Sequence, residues 1–371
     1  MAQFKIEEEQ AGLSIQGTSG NDTFVSEPGA INTTLIGGAG SDILKGATGS
    51  LLRGGTGNDF LEIAGTGGGT MRGGQGDDTY RILLSNNGVN GLVIDEASDT
   101  TGIDTIISAI DFSLDNPGAS GISIIGDIEN LRLAVLDPGV GPIFAEGNAL
   151  DNTIIGNRED NLLIGLDGND SIFGSFGDDT IDGGNGDDFL EGNNDNDLID
   201  GGVGNDNIFG DSATILTQSG DDTLNGGAGN DTLTGGLGAD TFEFGGAGLA
   251  ATGNNSTTSI KQDTITDFNS VQGDIINLDT ASFNEAVLVG AVGNDLSAVT
   301  NGFTAGNFGI NDDQFDGGVR LLQSNAYFVY NVDNGNLYYN PNLDTNGSGG
   351  GGLFATLTGI PTLTAADIVL V

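Results

Sequence analysis

The chain has no cysteine, no histidine and no tryptophan, and only 6 prolines in 371 residues. Missing cysteine excludes disulfides and a thiol nucleophile. Missing histidine excludes the HExxH zinc-protease signature and any Ser-His-Asp arrangement, and no GxSxG elbow occurs. Nitrogen and sulfur ligands are gone with them, so a bound metal must be a hard cation held by oxygen. Positive charge is scarce as well: 9 Lys and Arg stand against 53 Asp and Glu, a formal net charge of −44. Nucleic acid and anionic membrane surfaces would repel such a chain, so neither is an expected partner. No apolar run reaches the roughly 18 residues of a transmembrane helix, so no membrane insertion is expected. The N-terminal MAQFKIEEEQ lacks the apolar core of a cleavable signal peptide.

Glycine, by contrast, is abundant at 67 residues, and it is placed periodically. From Gly165 to Glu243 the chain reads GLDGNDSIF, GSFGDDTID, GGNGDDFLE, GNNDNDLID, GGVGNDNIF and then, after an insertion, GGAGNDTLT and GGLGADTFE. Glycine holds the first and usually the fourth place, aspartate the sixth, and a large apolar residue the eighth. A less regular array lies upstream: GTSGNDTFV at 17–25, GGAGSDILK at 37–45, GGTGNDFLE at 54–62 and GGQGDDTYR at 73–81. Each unit divides into six turn residues and three strand residues. Glycines supply the positive φ of a tight turn. At the eighth place Ile172, Ile181, Leu190, Ile199, Ile208, Leu224, Leu233 and Phe242 are predicted to fill one narrow core. Strand alternation then turns positions seven and nine to solvent.

This pattern resembles the nonapeptide repeat of the RTX (repeats-in-toxin) proteins. The resemblance implies an all-β fold, a right-handed parallel β-roll or β-solenoid whose turns bind several calcium ions. It implies carboxylate ligands at Asp22, Asp42, Asp59 and Asp78 in the first array. In the second it implies Asp170, Asp179, Asp188, Asp197, Asp206, Asp222, Asp231 and Asp240, with aspartates two repeats apart becoming neighbours. Carbonyl donors beside them would be Gly168, Gly177, Gly186, Gly204, Gly220, Gly229 and Gly238. Twelve matching turns, less those at array ends, suggest on the order of eight ions. One apolar side chain per nine residues does not repay the entropy of ordering them, so ion binding is expected to drive folding.

Several units depart from the pattern. Repeats at 147–155 and 156–164 carry Asn152 and Asn161 in the sixth place and are expected to stack but to bind calcium weakly or not at all. Asp195 replaces the fourth-place glycine and puts the turn at 192–197 in doubt. Residues 46–53 have lost the Asp and 63–72 keep only glycine, which makes the first array the poorer metal binder.

Five segments follow. Residues 1–16 form an N-terminal cap, 17–81 the first array, 82–146 a β-rich spacer, 147–244 the main array, and 245–371 a C-terminal β cap. The spacer either continues the coils or forms a separate small β domain. An extruded loop is expected at 211–218, a linker at 245–260, and a hairpin over 326–340 turning at Asp333-Asn334-Gly335. DTNGSG at 344–349 reads as a Gly-rich turn, because the twelfth place of an EF-hand loop holds Ala355 rather than Glu. The ending Ala365–Val371 is similar to the uncleaved signals read by type I export machinery. Family resemblance therefore implies an exported, extracellular or cell-surface protein with calcium as its partner.

No domain-sized region outside the repeats offers a cleft, so the chain reads as no enzyme. A calcium-dependent polysaccharide-active enzyme, a lyase using Arg132 for example, is the catalytic alternative. A self-associating surface-layer or adhesive subunit, bound to cell-surface polysaccharide or to copies of itself, is the other. Ice binding would need one outward residue type on every rung, and the third turn position varies too widely for that.

Overall fold

A computed structural model describes residues 3–6, 12–27, 30–64, 67–82, 90–96, 102–115, 117, 121–135, 143–212, 219–245, 262–278, 319–323, 326–331, 334–340, 352–361, 363 and 367–370. Most lie in short strands, and no α-helix occurs among them. The fold is an all-β parallel β-roll. It divides into two compact units, Met1–Leu166 and Asp167–Val371.

Short strands alternate between two faces because a turn follows every two to nine strand residues. In the first unit one face stacks Gln3–Ile6, Thr23–Ser26, Ile43–Ala47, Phe60–Ala64, Thr79–Ile82, Thr105–Ser108, Asn130–Leu133 and Thr153–Ile155, each pair parallel. Leu44, Leu61, Tyr80, Ile106, Leu131 and Ile154 fall in one register and are all fully buried. The opposite face stacks Ser14–Gln16, Thr34–Ala39, Leu51–Thr56, Gly67–Gln75, Asn90–Asp95 and Ile122–Ile125, also parallel. The described strands Asn90–Asp95, Thr105–Ser108, Ile122–Ile125 and Asn130–Leu133 of segment 82–146 thus pair into the same two stacks. The main array, drawn from 147 by its spacing, is cut by the division at 166/167.

In the second unit one face stacks Ser171–Phe173, Phe189–Asn193, Asn207–Asp211, Thr232–Thr234, Asp263–Ile265 and Gly352–Leu357 in parallel. The other stacks Thr180–Asn185, Leu198–Val203, Thr223–Asn225, Thr241–Phe244, Ile275–Leu278 and Ile368–Leu370. All eight residues at the eighth place, Ile172 through Phe242, have no exposed surface. Pairing then changes sense: Gly352–Leu357, Asn336–Asn340, Ala326–Asn331 and Val319–Gln323 are antiparallel neighbours. An antiparallel end covers the row of unpaired N–H and C=O groups that a bare stack would present. Phe354 of this end packs edge-on to Phe244, ring centroids 5.3 Å apart.

Position nine departs from the sequence reading. Glu62, Glu191 and Asp200 are buried, and Asp182 is half-buried, where solvent exposure was predicted. The cause is stacking, since parallel coils in register place a neighbour above and below each outward side chain, as Asp182 over Asp200. Residues 246–260 of the linker, 213–218 of the extruded loop and 344–349, the Gly-rich turn, lie outside the described residues, as does Asp333.

Candidate metal centre

Every sixth-place aspartate sits where a turn enters a strand, its side chain folded under the turn and no more than 3 % exposed. The backbone binds these residues into ladders. In the second unit the N–H of Asp170 donates to Asp188 Oδ1 (2.8 Å) and that of Asp188 to Asp206 Oδ1 (2.9 Å). Asp206 continues to Asp231 (2.9 Å), and Asp231 to Asp263 (3.0 Å). The other edge runs Asp179 to Asp197 (2.8 Å), Asp222 (2.8 Å), Asp240 (3.0 Å) and Asp274 (3.2 Å). In the first unit a single ladder joins Asp22, Asp42, Asp59, Asp78 and Asp104 at 2.7–2.8 Å and ends on Glu129 Oε2 (2.7 Å). Aspartates two repeats apart are thus direct neighbours.

Oδ1 is spent on the next coil; Oδ2 is not, save at Asp22, where it accepts the Thr18 N–H (2.6 Å) and hydroxyl (2.9 Å). Oδ2 of Asp42, Asp59, Asp78, Asp188, Asp197, Asp206, Asp222 and Asp240 is buried and accepts no hydrogen bond among the described residues. It points at the first glycine of its own turn: a Cβ on Gly183 would meet Asp188 Oδ2 and the Gly201 carbonyl of the adjoining coil. Carboxylate and carbonyl oxygens therefore converge on each turn, a donor set of hard oxygens that suits calcium and leaves no role for nitrogen or sulfur. Burying a carboxylate oxygen without a partner is costly, and a cation there removes the cost. Burial, with neighbouring carboxylates adding to it, pushes Asp59, Asp188, Asp206 and Asp240 up to about 7. The same causes push Asp78 and Asp222 to about 8 and Asp197 to about 9.

Fourth-place glycines stack on one another. Gly168, Gly177, Gly186, Gly204 and Gly238 have φ of 122°, 101°, 143°, 156° and 149°, a region side chains avoid. The Gly168 carbonyl abuts the Cα of Gly186, and a Cβ there would collide with it; Gly204, Gly229 and Gly238 repeat the contact with Gly186, Gly204 and Gly220. The turn with Asp195 in the fourth place keeps its shape, correcting the doubt raised by the sequence. Asp195 takes φ 71°, its Oδ2 accepts the Gly177 N–H (3.2 Å), and Asp197 stays in the ladder.

Asn152 and Asn161 occupy the sixth place differently. The Asn152 amide donates to the Glu129 carbonyl (2.9 Å) and its Oδ1 accepts the Asn148 N–H (2.7 Å). Asn161 Oδ1 accepts the Asn157 N–H (2.8 Å) and its amide donates to Asn157 Oδ1 (3.3 Å). An amide NH₂ stands where a carboxylate oxygen would face a cation. On the opposite edge of the first unit hydroxyls replace carboxylates: Thr33 Oγ1 and Ser50 Oγ, both buried, are hydrogen-bonded at 2.8 Å.

Asp104, Glu129, Asp263 and Asp274 join the ladders without the first-place glycine of the repeat five residues before them. Their signal is the back half of the unit, an acid two residues ahead of a buried apolar side chain: Ile106, Leu131, Ile265 and Ile276. Position five also does more than its spacing shows. Oδ1 of Asn169, Asp187, Asn205 and Asn230 accepts the N–H of Asp187 (2.8 Å), Asn205 (2.7 Å), Asn230 (3.1 Å) and Gln262 (2.8 Å). An exposed ladder thus runs beside the buried one in the opposite donor sense. Arg132, the candidate lyase base, stands exposed on the outer face of its strand.

A calcium-binding parallel β-roll is the class that this fold and these turns define. Four copies of the RTX calcium-binding nonapeptide repeat match the chain, at residues 29–50, 146–181, 182–213 and 214–248, so these stretches carry RTX repeats and indicate Ca²⁺ binding at several sites. No curated protein matches the chain.

Proposed function

We propose that the chain is an exported, non-catalytic calcium-binding protein whose turns become ordered as the ion binds. Carboxylate ligands are Asp22, Asp42, Asp59 and Asp78, then Asp170, Asp179, Asp188, Asp197, Asp206, Asp222, Asp231 and Asp240. Carbonyls of the fourth-place glycines complete the oxygen set. The observation that carries this reading is the row of buried Oδ2 atoms that accept no hydrogen bond. Bound calcium supplies two positive charges per site and takes six to eight oxygens. The chain's own part is to bring those oxygens together: Oδ1 fixes each carboxylate to the next coil, and the glycines let turns approach closely. Ligands from successive coils meet only in the folded roll, so binding energy becomes folding energy. A formal charge of −44 opposes folding until cations offset part of it, which suits a chain that crosses a membrane unfolded and meets calcium outside.

The test is a calcium titration of metal-free full-length protein followed by far-UV circular dichroism, with magnesium as control. A cooperative coil-to-β transition given by calcium and not by magnesium is the expected outcome. Full β structure in chelator, with no response to calcium, would overturn the reading.

A further inference from the structure

We propose that Asp78, Glu96 and Asp104 form a separate cation site, built by the end of the first array together with the coil that follows it. One oxygen from each lies within 4.8 Å of the other two, and all three residues are buried. Only Asp78 belongs to the nonapeptide pattern. Glu96 follows the strand Asn90–Asp95, and Asp104 precedes Thr105–Ser108.

Gly73 shows how this place differs from a repeat turn. At Gly37 and Gly54 the Oδ2 of the local aspartate is met by the glycine carbonyl of the next coil, that of Gly54 and Gly73 respectively. At Gly73 the atoms in that position are Asp78 Oδ2 and the Tyr80 hydroxyl. The Gly73 N–H donates to that hydroxyl (2.6 Å) and to Glu96 Oε1 (3.1 Å), which draws Glu96 to the turn. Asp78 Oδ1 is occupied by the Asp59 N–H (2.7 Å), and the Asp78 N–H goes to Asp104 Oδ1 (2.8 Å). Asp78 Oδ2 is left buried and without a hydrogen-bond partner, on the side where Glu96 arrives. The Tyr80 hydroxyl thus stands where the repeats offer a carbonyl, and Glu96 brings a second carboxylate to the same turn. Three carboxylates at this spacing take a hard cation through oxygen, calcium by ordinary availability and a trivalent lanthanide more strongly by charge. The ion fastens the last turn of the first array to the spacer, a join that the repeat motif does not provide. All three residues lie in the first unit, and the readout of this site is separate from that of the far-UV titration.

Tyr80 supplies the probe. It is the only tyrosine outside residues 327–339, and the chain has no tryptophan. Terbium is titrated into the metal-free full-length chain and its emission is excited through tyrosine. Wild type should give sensitised emission, and Tyr80→Phe, which removes no carboxylate, should abolish it. Glu96→Gln should raise the terbium midpoint by at least the ~10–100-fold that losing even an outer-shell partner costs a metal site. Asp104→Asn should do the same, and Asp115→Asn, exposed and outside every ladder, should leave the midpoint where it was. Absence of emission in wild type, emission that survives Tyr80→Phe, or an unchanged midpoint in Glu96→Gln would overturn the proposal. Should Glu96→Gln and Asp104→Asn fail to fold, the wild-type and Tyr80→Phe pair still decides.

Discussion

The backbone N–H of Asp179 donates to Oδ1 of Asp197 at 2.8 Å, joining two residues one coil apart. Each carboxylate in the ladder therefore has two unlike oxygens. Oδ1 is a staple to the neighbouring coil. Oδ2 faces its own turn and, at Asp197, is buried with no hydrogen bond. Substitutions that keep one oxygen and replace the other can separate these duties.

Asp188→Asn keeps an oxygen for the Asp170 N–H and puts an amide where Oδ2 stood. Loss of a charged contact is worth about 1.5–3 kcal/mol, so the calcium midpoint for folding should rise on the order of tenfold. Asp115→Asn lies on the exposed surface outside every ladder and should leave the midpoint unchanged. Equal midpoints for the two variants in a dichroism titration would defeat the residue assignment.

Gly186→Ala tests the close stacking of the turns. At φ 143° and against the Gly168 carbonyl, a methyl group has neither a favoured conformation nor room. The cost should be about 1–3 kcal/mol, read as a lower urea midpoint in saturating calcium. Gly20→Ala, where a Cβ meets nothing within 4 Å, should change stability by less than about 0.5 kcal/mol.

Acid should substitute for calcium. Burial raises Asp59, Asp188, Asp206 and Asp240 to about 7, Asp78 and Asp222 to about 8 and Asp197 to about 9, all from 3.8. Between 3.8 and those values the metal-free roll holds more protons than the unfolded chain, so its stability falls as pH rises. That stability is fully present below 3.8 and is lost on passing through about 7 to 9. Metal-free protein should thus gain β signal as pH is lowered. The calcium midpoint should fall as pH rises, because the ion competes with protons for the same oxygens. A metal-free signal that is flat between pH 4 and 9 would contradict both statements.

Asn152→Asp is a gain-of-site variant. It removes the amide donor now bonded to the Glu129 carbonyl at 2.9 Å and supplies a second carboxylate oxygen instead. In chelator the variant should be less stable than wild type, by about the 1–3 kcal/mol of a lost buried partner. In calcium the difference should shrink or reverse, and equilibrium dialysis should count more bound ions per chain.

Much of the roll is legible in its sequence because two requirements recur at fixed spacing, a left-handed glycine and a buried apolar side chain. Ile172 to Phe242 fill the core in the order of their repeats for that reason. The twelve motif aspartates fall into ladders because a period of nine brings every second unit to the same edge. Glu129 and Asp274 were harder to see, since their coils lack the first-place glycine of the repeat and keep an acid ahead of Leu131 and Ile276. Glu191 and Asp200 illustrate a different limit. Alternation tells which face a residue takes, and the cover it receives there depends on neighbours one coil away. Asp195 shows that a short polar side chain can enter the left-handed region when its carboxylate finds a backbone donor.

Thr33 and Ser50 give the first unit two margins of unlike chemistry. Along one, carboxylates await an ion; along the other, paired hydroxyls are complete in themselves. Withdrawing calcium acts on the first and passes over the second, much as cutting the fore-edge binding of a book leaves its spine sewn. The second unit, acidic along both margins, has no such spine, and its carboxylates must be answered by an ion or by protons on either side.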